Sequence, residues 1–180
     1  MDQNKIRALQ YVRRFNFERC NRYQSVAEHS FFVGVLAYEM AEIVNYQHPE
    51  YYMRMAMLHD ITEAVTGDIP FLTKRVIGKG TILDLEDKAE KELDVCLGSP
   101  VDVIRIVNYG DALELALYLK EERESGNQTL IDIEHETWKR LIAMSGGVPA
   151  PEFVWAANLL GLTTECIMKY AKDFPNGIKH

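Results

Sequence analysis

The chain has 180 residues, of which 47% are hydrophobic and 26% charged, and its formal net charge is −7 at pH 7. These totals are ordinary for a globular protein, and we expect one domain over residues 1–180. Non-specific binding to a nucleic-acid polymer needs a basic face, so the acidic balance argues against such a partner. A small phosphorylated ligand in a locally basic pocket remains compatible with it.

Cysteine usage and hydropathy favour a cytoplasmic location. The three cysteines, Cys20, Cys96 and Cys166, are an odd number without a CxxC pair, which is typical of a reducing compartment. No apolar run reaches the roughly 18 residues of a membrane span, and the N-terminus lacks the apolar stretch of a signal peptide. We therefore expect a cytoplasmic protein without a membrane partner.

The first elements are a short amphipathic helix and an irregular arginine-rich segment. Ile6, Leu9 and Val12 predict a helix over residues 3–13. Residues 13–24 then interleave four arginines with three aromatic residues and show no clean period. This segment is either a local site for an anion and a ring, or a surface loop whose arginines keep their charges in water.

A capping box at residues 25–28 starts the next helix, which we expect to run to about Asn45. His29 lies on the buried stripe of this helix. A lone histidine in such a place is more often a satisfied core residue than a metal ligand. That balance changes if other ligands converge on it.

The following helix, after Pro49, carries the densest group of polar residues. Read at about 3.6 residues per turn, Asp60 falls on its apolar stripe, and His59 and Glu63 share the adjoining face. A carboxylate on an apolar stripe is costly unless a cation or several donors meet it, so a metal ion is the first candidate partner. The turn at residues 66–70 ends the helix.

The remainder of the chain also reads as helical. We expect helices over residues 71–77, 82–97, 101–124 and 129–144, and a last one from Pro151. Asp111 is a second carboxylate on an apolar stripe, in the helix over residues 101–124. Because no convincing alternating strand occurs, the sequence predicts an all-α domain.

The polar residues on buried stripes form one mixed nitrogen and oxygen set. Its members are His29, His59, Asp60 and Asp111. Such a set suits a divalent transition metal such as Mn²⁺, Fe²⁺, Co²⁺, Ni²⁺ or Zn²⁺. A metal there would lower the pKa of its water and polarise a phosphoryl or carbonyl oxygen.

These residues, in this order, resemble the H…HD…D signature of the HD-domain metal-dependent phosphohydrolases. The segments at 26–30 (Val-Ala-Glu-His-Ser), 59–70 (His-Asp-x-x-Glu-x-x-x-Gly-Asp-x-Pro) and 111–113 (Asp-Ala-Leu) are similar to the bacterial 5′-deoxynucleotidase group, the YfbR-like proteins. Arg14-Phe15 stands where that group has an Arg-Trp pair, and Lys74 matches its lysine. The resemblance covers roughly residues 10–125 and implies an HD-domain bundle of about seven or eight helices.

The resemblance implies a role for each site residue. The metal ligands would be His29, His59, Asp60 and Asp111. Glu63 would act as general acid/base or orient the water, and Asp68 would assist it or protonate the leaving 5′ oxygen. Arg14 and Lys74 would hold the phosphate.

Residue 15 would pack against the sugar and help to reject a 2′-hydroxyl. Phe15 replaces the tryptophan of the group and fills less volume, so the resemblance does not by itself imply strict deoxyribose preference for this chain. Phe17 is a candidate for contact with the base. Arg22 is a candidate for contact with further phosphates, together with Arg19, Arg75 and Lys79.

The resemblance implies a hydrolase that attacks the α-phosphorus of a 2′-deoxyribonucleotide with metal-bound water. A 5′-deoxynucleotidase would release the deoxynucleoside from a monophosphate. A dNTP triphosphohydrolase of the phage dATPase type would release triphosphate, with a second ion, Mg²⁺, accompanying the substrate. The rival from another class is a non-catalytic nucleotide-binding HD module. A homodimer or higher homo-oligomer is also implied.

Overall fold

Helices make up the regular structure of the described residues. The computed structural model describes residues 3–98, 100–144, 155–156 and 158–159, and no strand occurs among them. The helices are α1 (Gln3–Ile6), a 3₁₀ helix (Arg7–Gln10), α2 (Val26–Ile43), α3 (Pro49–Leu58), α4 (Glu63–Thr66), α5 (Phe71–Ile77), α6 (Lys79–Leu93), α7 (Val101–Glu124) and α8 (Ile131–Met144). The all-α prediction is confirmed. The start of the expected last helix, at Pro151, lies outside the described residues.

The largest core cluster lies where α2 meets α3, α7 and α8. Its buried members include Val33, Met40, Ala56, Ile106, Leu113 and Leu141. Glycine allows a close approach at two points: a Cβ on Gly34 would collide with the Met57 side chain of α3, and one on Gly110 of α7 would stand 3.3 Å from Met40 Cε. The close packing brings α3 and α7 against the same central helix, α2.

Local signals place α2 correctly and α6 incorrectly. The Ser25 hydroxyl accepts from the Glu28 N–H, and the Glu28 carboxylate accepts from the Ser25 N–H at 2.8 Å, so the predicted capping box is present. The predicted helix over residues 82–97 instead runs over Lys79–Leu93. Gly78, at φ 89°, ends α5 and caps α6 directly, and Asp94, at φ 53°, ends α6 early.

The prediction of one helix through His59 and Glu63 is also wrong. α3 ends at Leu58, and the N–H groups of His59, Ile61 and Glu63 bond to carbonyls three residues back rather than four. The chain therefore tightens into a turn before α4 begins at Glu63. His59 and Asp60 lie in this turn, which is why two adjacent side chains can approach one centre.

None of the helices in the described part of the chain combines the length and the hydropathy of a membrane span.

Candidate metal centre and its surroundings

Three elements bring the predicted ligands together. His29 comes from the first turns of α2, His59 and Asp60 from the turn after α3, and Asp111 from the middle of α7. One ligand atom from each of His29, His59 and Asp111 lies within 4.8 Å of the other two. Asp60 Oδ2 lies 3.1 Å from His59 Nε2 and 3.6 Å from His29 Nε2, and Asp111 Oδ1 lies 3.4 Å from His29 Nε2. The four residues form one cluster.

The hydrogen bonds of the two imidazoles leave the same nitrogen available on each ring. His29 Nδ1 lies 2.5 Å from Glu114 Oε2, an acceptor, and 2.5 Å from Arg14 Nη1, while His59 Nδ1 lies 2.6 Å from the Ala56 carbonyl oxygen. Both Nε2 atoms are buried and have no hydrogen-bond partner within the described residues. A neutral imidazole that donates through Nδ1 keeps its lone pair on Nε2, the atom that a metal binds. The donor set therefore fits a divalent transition metal.

The electrostatics of the cluster favour a positive charge at its centre. Burial alone would lower the pKa of His59, but the Asp60 and Asp111 carboxylates raise it to about 9. Burial opposes ionisation of Asp60, yet His59 and His29 lower its pKa to about 2. The pKa of Asp111 is lowered too, since its interactions with His29 and His59 outweigh burial. The ionised carboxylates of Asp60 and Asp111 therefore stabilise one positive charge between them. That charge is either the proton on His59 or a metal cation that replaces this proton.

Glu63 and Asp68 supply carboxyl groups beside the cluster. Burial, with the carboxylates of Asp60 and Asp68, raises the pKa of Glu63 to about 8. Burial also raises the pKa of Asp68, although Arg14 and Lys74 oppose the shift. Glu63 is therefore mostly protonated at neutral pH in the metal-free protein and suits general acid–base chemistry.

Two cations stand beside these acidic groups. Lys74 Nζ, on α5, lies 3.9 Å from Glu63 Oε1. Arg14 is half-buried, and its Nη1 donates to Gln24 Oε1 at 3.1 Å and to Glu114 Oε2 at 3.2 Å. The charge of an arriving phosphate would be met by both side chains.

The loop that carries Arg14 contacts both α7 and Asp68. Phe15 has a left-handed backbone (φ 57°), which strains a non-glycine residue, and its ring stacks on Tyr118 of α7 at 5.3 Å. Its N–H donates to the Asp68 carboxylate, and Asn16 Nδ2 donates to the Asp68 carbonyl at 3.0 Å. This half of the loop therefore packs against α7 and against Asp68.

Phe17 and Arg22 stand apart from the cluster. The Phe17 side chain is 79% exposed. Arg22 pairs with Glu28 at 2.8 Å, and its backbone N–H donates to Glu122. Within the described residues, neither Phe17 nor Arg22 contacts the metal cluster. The contact of Phe17 with the base and that of Arg22 with phosphate stay predictions.

Three residues of the site had no part in the sequence predictions. Glu114 and Gln24 are buried and hydrogen-bonded to each other at 2.6 Å. Arg140 of α8 donates to Asp111 Oδ2 at 3.2 Å. A signal for Glu114 existed, because it lies three residues after Asp111 and so shares its face of α7. No local pattern indicates Arg140, whose partner is 29 residues away.

Comparison with known proteins identifies relatives by family and by fold. The family model of the 5′-deoxynucleotidase YfbR-like proteins matches residues 3–101. A search of curated protein sequences gives no significant match. The HD phosphohydrolase DatZ of cyanophage S-2L, solved with dA and one catalytic Zn²⁺ ion, superposes with a TM-score of 0.69 at 18% identity, covering 94% of this chain and 98% of DatZ.

A structural-genomics target superposes with a TM-score of 0.55 at 20% identity, covering 97% of this chain and 93% of the target. At such identities the likeness concerns the fold. The predicted HD-domain helical bundle is confirmed.

Proposed function

This chain belongs to the 5′-deoxynucleotidase YfbR-like family, and on that basis we propose that it is a metal-dependent phosphohydrolase of 2′-deoxyribonucleotides. It cleaves the 5′ phosphoester of a monophosphate and releases the deoxynucleoside. The observation that carries the proposal is the pair of buried Nε2 atoms of His29 and His59. They have no hydrogen-bond partner in the described part of the chain and converge on Asp60 and Asp111. Such a cluster is costly without a cation.

His29, His59, Asp60 and Asp111 would hold the metal. When bound, a divalent ion such as Zn²⁺, Co²⁺, Mn²⁺, Fe²⁺ or Ni²⁺ supplies polarisation of the phosphoryl oxygen and activation of water. Arg14 and Lys74 bind the phosphate oxygens and orient the phosphorus for attack.

Glu63 and Asp68 move the protons of the reaction. Both carboxyls have raised pKa values, mainly because they are buried. In the proposed step the ionised member of the pair takes a proton from the attacking water. The protonated member gives a proton to the leaving 5′ oxygen, so the pair ends with the same number of protons.

Phe15 selects the sugar. The Phe15 ring stacks on Tyr118, and the Phe15 backbone N–H donates to the Asp68 carboxylate. A phenylalanine fills less volume than a tryptophan, so a 2′-hydroxyl meets less steric resistance here. We infer a preference for deoxyribose that is weaker than a tryptophan at this position would give.

The alternative substrate is a dNTP, from which the same bond cleavage releases triphosphate. The observation that favours it is the placement of Arg75 and Lys79 beyond Lys74, along α5 and at the start of α6, where both are exposed. Further cations in these two helices suit β- and γ-phosphates, with Mg²⁺ as a second ion. Exposed helix cations also serve solubility, so the monophosphate is the first choice.

The test incubates the purified protein with dAMP or dATP and with Co²⁺ or Mn²⁺, and separates the products. Phosphate and deoxyadenosine from dAMP are expected; triphosphate from dATP would establish the alternative. Asp60→Asn should abolish turnover, whereas the matched control Asp84→Asn, at an exposed position of α6, should not. Binding of both nucleotides without any turnover would contradict the proposal and leave a nucleotide-binding module.

Family membership also supports assembly as a homodimer or higher homo-oligomer of single-domain chains in the cytoplasm. Sedimentation equilibrium measures the assembly, and a monomer at all concentrations would contradict it.

A further inference from the structure

We propose that Glu114 is a positioning residue that orients the metal ligand His29 and the phosphate-binding Arg14 at the same time. The inference rests on the proposed function, which assigns those two roles. Glu114 is 4% exposed and lies on α7, one turn after Asp111. Its carboxylate therefore sits behind the metal cluster rather than in it.

Three donors surround the Glu114 carboxylate. Oε1 accepts from Gln24 Nε2 at 2.6 Å, while Oε2 lies 2.5 Å from His29 Nδ1 and 3.2 Å from Arg14 Nη1. A buried carboxylate is strongly destabilising unless it is fully hydrogen-bonded. Glu114 meets that condition, and its donors are His29, Arg14 and Gln24, the last of which is itself hydrogen-bonded to Arg14.

The contact with His29 determines which ring nitrogen can bind a metal. With its proton on Nδ1, donated to Glu114, His29 presents the Nε2 lone pair toward Asp60 and Asp111. The other tautomer would place an N–H where the metal belongs. A carboxylate partner also increases the basicity of the ligating nitrogen.

The contact with Arg14 links this orientation to phosphate binding. Arg14 Nη1 and His29 Nδ1 lie 2.5 Å apart, and Glu114 Oε2 is an acceptor within reach of both nitrogens. Gln24 completes the link, since its Oε1 accepts from Arg14 at 3.1 Å while its Nε2 donates to Glu114. The guanidinium is thereby placed before substrate arrives and keeps further N–H groups for a phosphate.

The test compares Glu114→Gln with the matched control Glu134→Gln, which alters another buried glutamate, paired with Arg123 in the last turn of α7. Calorimetric titration of chelator-treated protein with Zn²⁺ measures the metal dissociation constant. We expect Glu114→Gln to raise it about 10- to 100-fold and Glu134→Gln to leave it unchanged. In the Zn²⁺-loaded protein, the downfield NMR signal of the His29 Nδ1 proton should move upfield in Glu114→Gln alone.

A second variant separates the two halves of the role. Gln24→Met removes one acceptor of Arg14 and one donor to Glu114 but keeps the Glu114–His29 contact, so it should raise KM with little change in the metal dissociation constant. This variant also provides a decision if Glu114→Gln does not fold.

Unchanged metal affinity and an unchanged His29 signal in Glu114→Gln would overturn the inference, as would a loss of metal affinity in Gln24→Met as large as that expected for Glu114→Gln. The metal titration uses no nucleotide. If the wild-type protein binds Zn²⁺ but hydrolyses no deoxynucleotide, the proposed function is refuted. The titration still decides whether Glu114 orients His29, because it does not depend on hydrolysis.

Discussion

Replacing Glu63 by glutamine should reduce turnover and stabilise the metal-free fold. Glutamine keeps the shape of the side chain but cannot ionise or transfer a proton. A lost general acid–base group lowers kcat by about 10²- to 10⁴-fold. At about 1.36 kcal/mol per tenfold, this equals about 3 to 5 kcal/mol of transition-state stabilisation.

The stability gain follows from the pKa of Glu63. Burial, Asp60 and Asp68 raise that pKa from an ordinary value of 4.5 to about 8. Between these two values the folded state binds more protons than the unfolded state, so the free energy of unfolding falls as pH rises. The loss is at most about 1.4 kcal/mol per pH unit. Glu63→Gln lacks this loss, so its advantage should be largest at pH 8 and absent below about pH 4.5.

Urea unfolding in the presence of a chelator at pH 5 and pH 8 measures the stability, and phosphate release from dAMP with Co²⁺ measures turnover. The control Glu121→Gln, at an exposed position of α7, should change neither. A wild-type kcat in Glu63→Gln would contradict a role of Glu63 in proton transfer. A Glu63→Gln protein no more stable than wild type at pH 8 would contradict the raised pKa of Glu63.

Further outcomes concern the phosphate, the sugar and the metal. Lys74→Met should raise KM for dAMP about tenfold, because one charge-assisted contact contributes about 1.5 kcal/mol or more; steady-state kinetics measure it, and an unchanged KM would place Lys74 outside the phosphate site. Phe15→Trp should increase the ratio of kcat/KM for dAMP over AMP, and a lower ratio would contradict the steric role of residue 15. Metal at about 1,000 times its dissociation constant should raise the free energy of unfolding by about 4 kcal/mol, a gain that Asp60→Asn should lack in thermal melts. Metal binding should weaken as pH falls below about 9, since the proton on His59 must leave; calorimetry in buffers of different ionisation enthalpy counts the protons released, and none released would contradict this charge assignment.

Signals that act over a few residues predicted the helices well. The capping box and the bounds of α7, Val101–Glu124, agree with the structure because capping and helical periodicity are local properties. Polar residues on apolar stripes also indicated His29 and Asp111. Periodicity failed at the end of α3, where a tightened turn replaces the expected helix and turns His59 and Asp60 toward one point.

Contacts between distant parts of the chain could not be predicted in this way. Gln24 and Glu114 are 90 residues apart, and Arg140 reaches Asp111 from another helix. Their hydrogen bonds depend on how α2, α7 and α8 pack, which no local pattern specifies. Glu114, Gln24 and Arg140 were therefore missed. The structure brings His29, His59, Asp60 and Asp111 together, and their role as metal ligands stays a prediction.

Hydrolysis of dAMP in water enriched in oxygen-18 tests directly whether water attacks the phosphorus. Protein stripped by a chelator should be inactive, and added Co²⁺ should restore release of phosphate. Attack of water at the phosphorus, the step that we propose for Arg14, Lys74, Glu63 and the metal cluster, predicts the label in the phosphate. No metal-dependent hydrolysis, or label in the deoxyadenosine, would contradict the account.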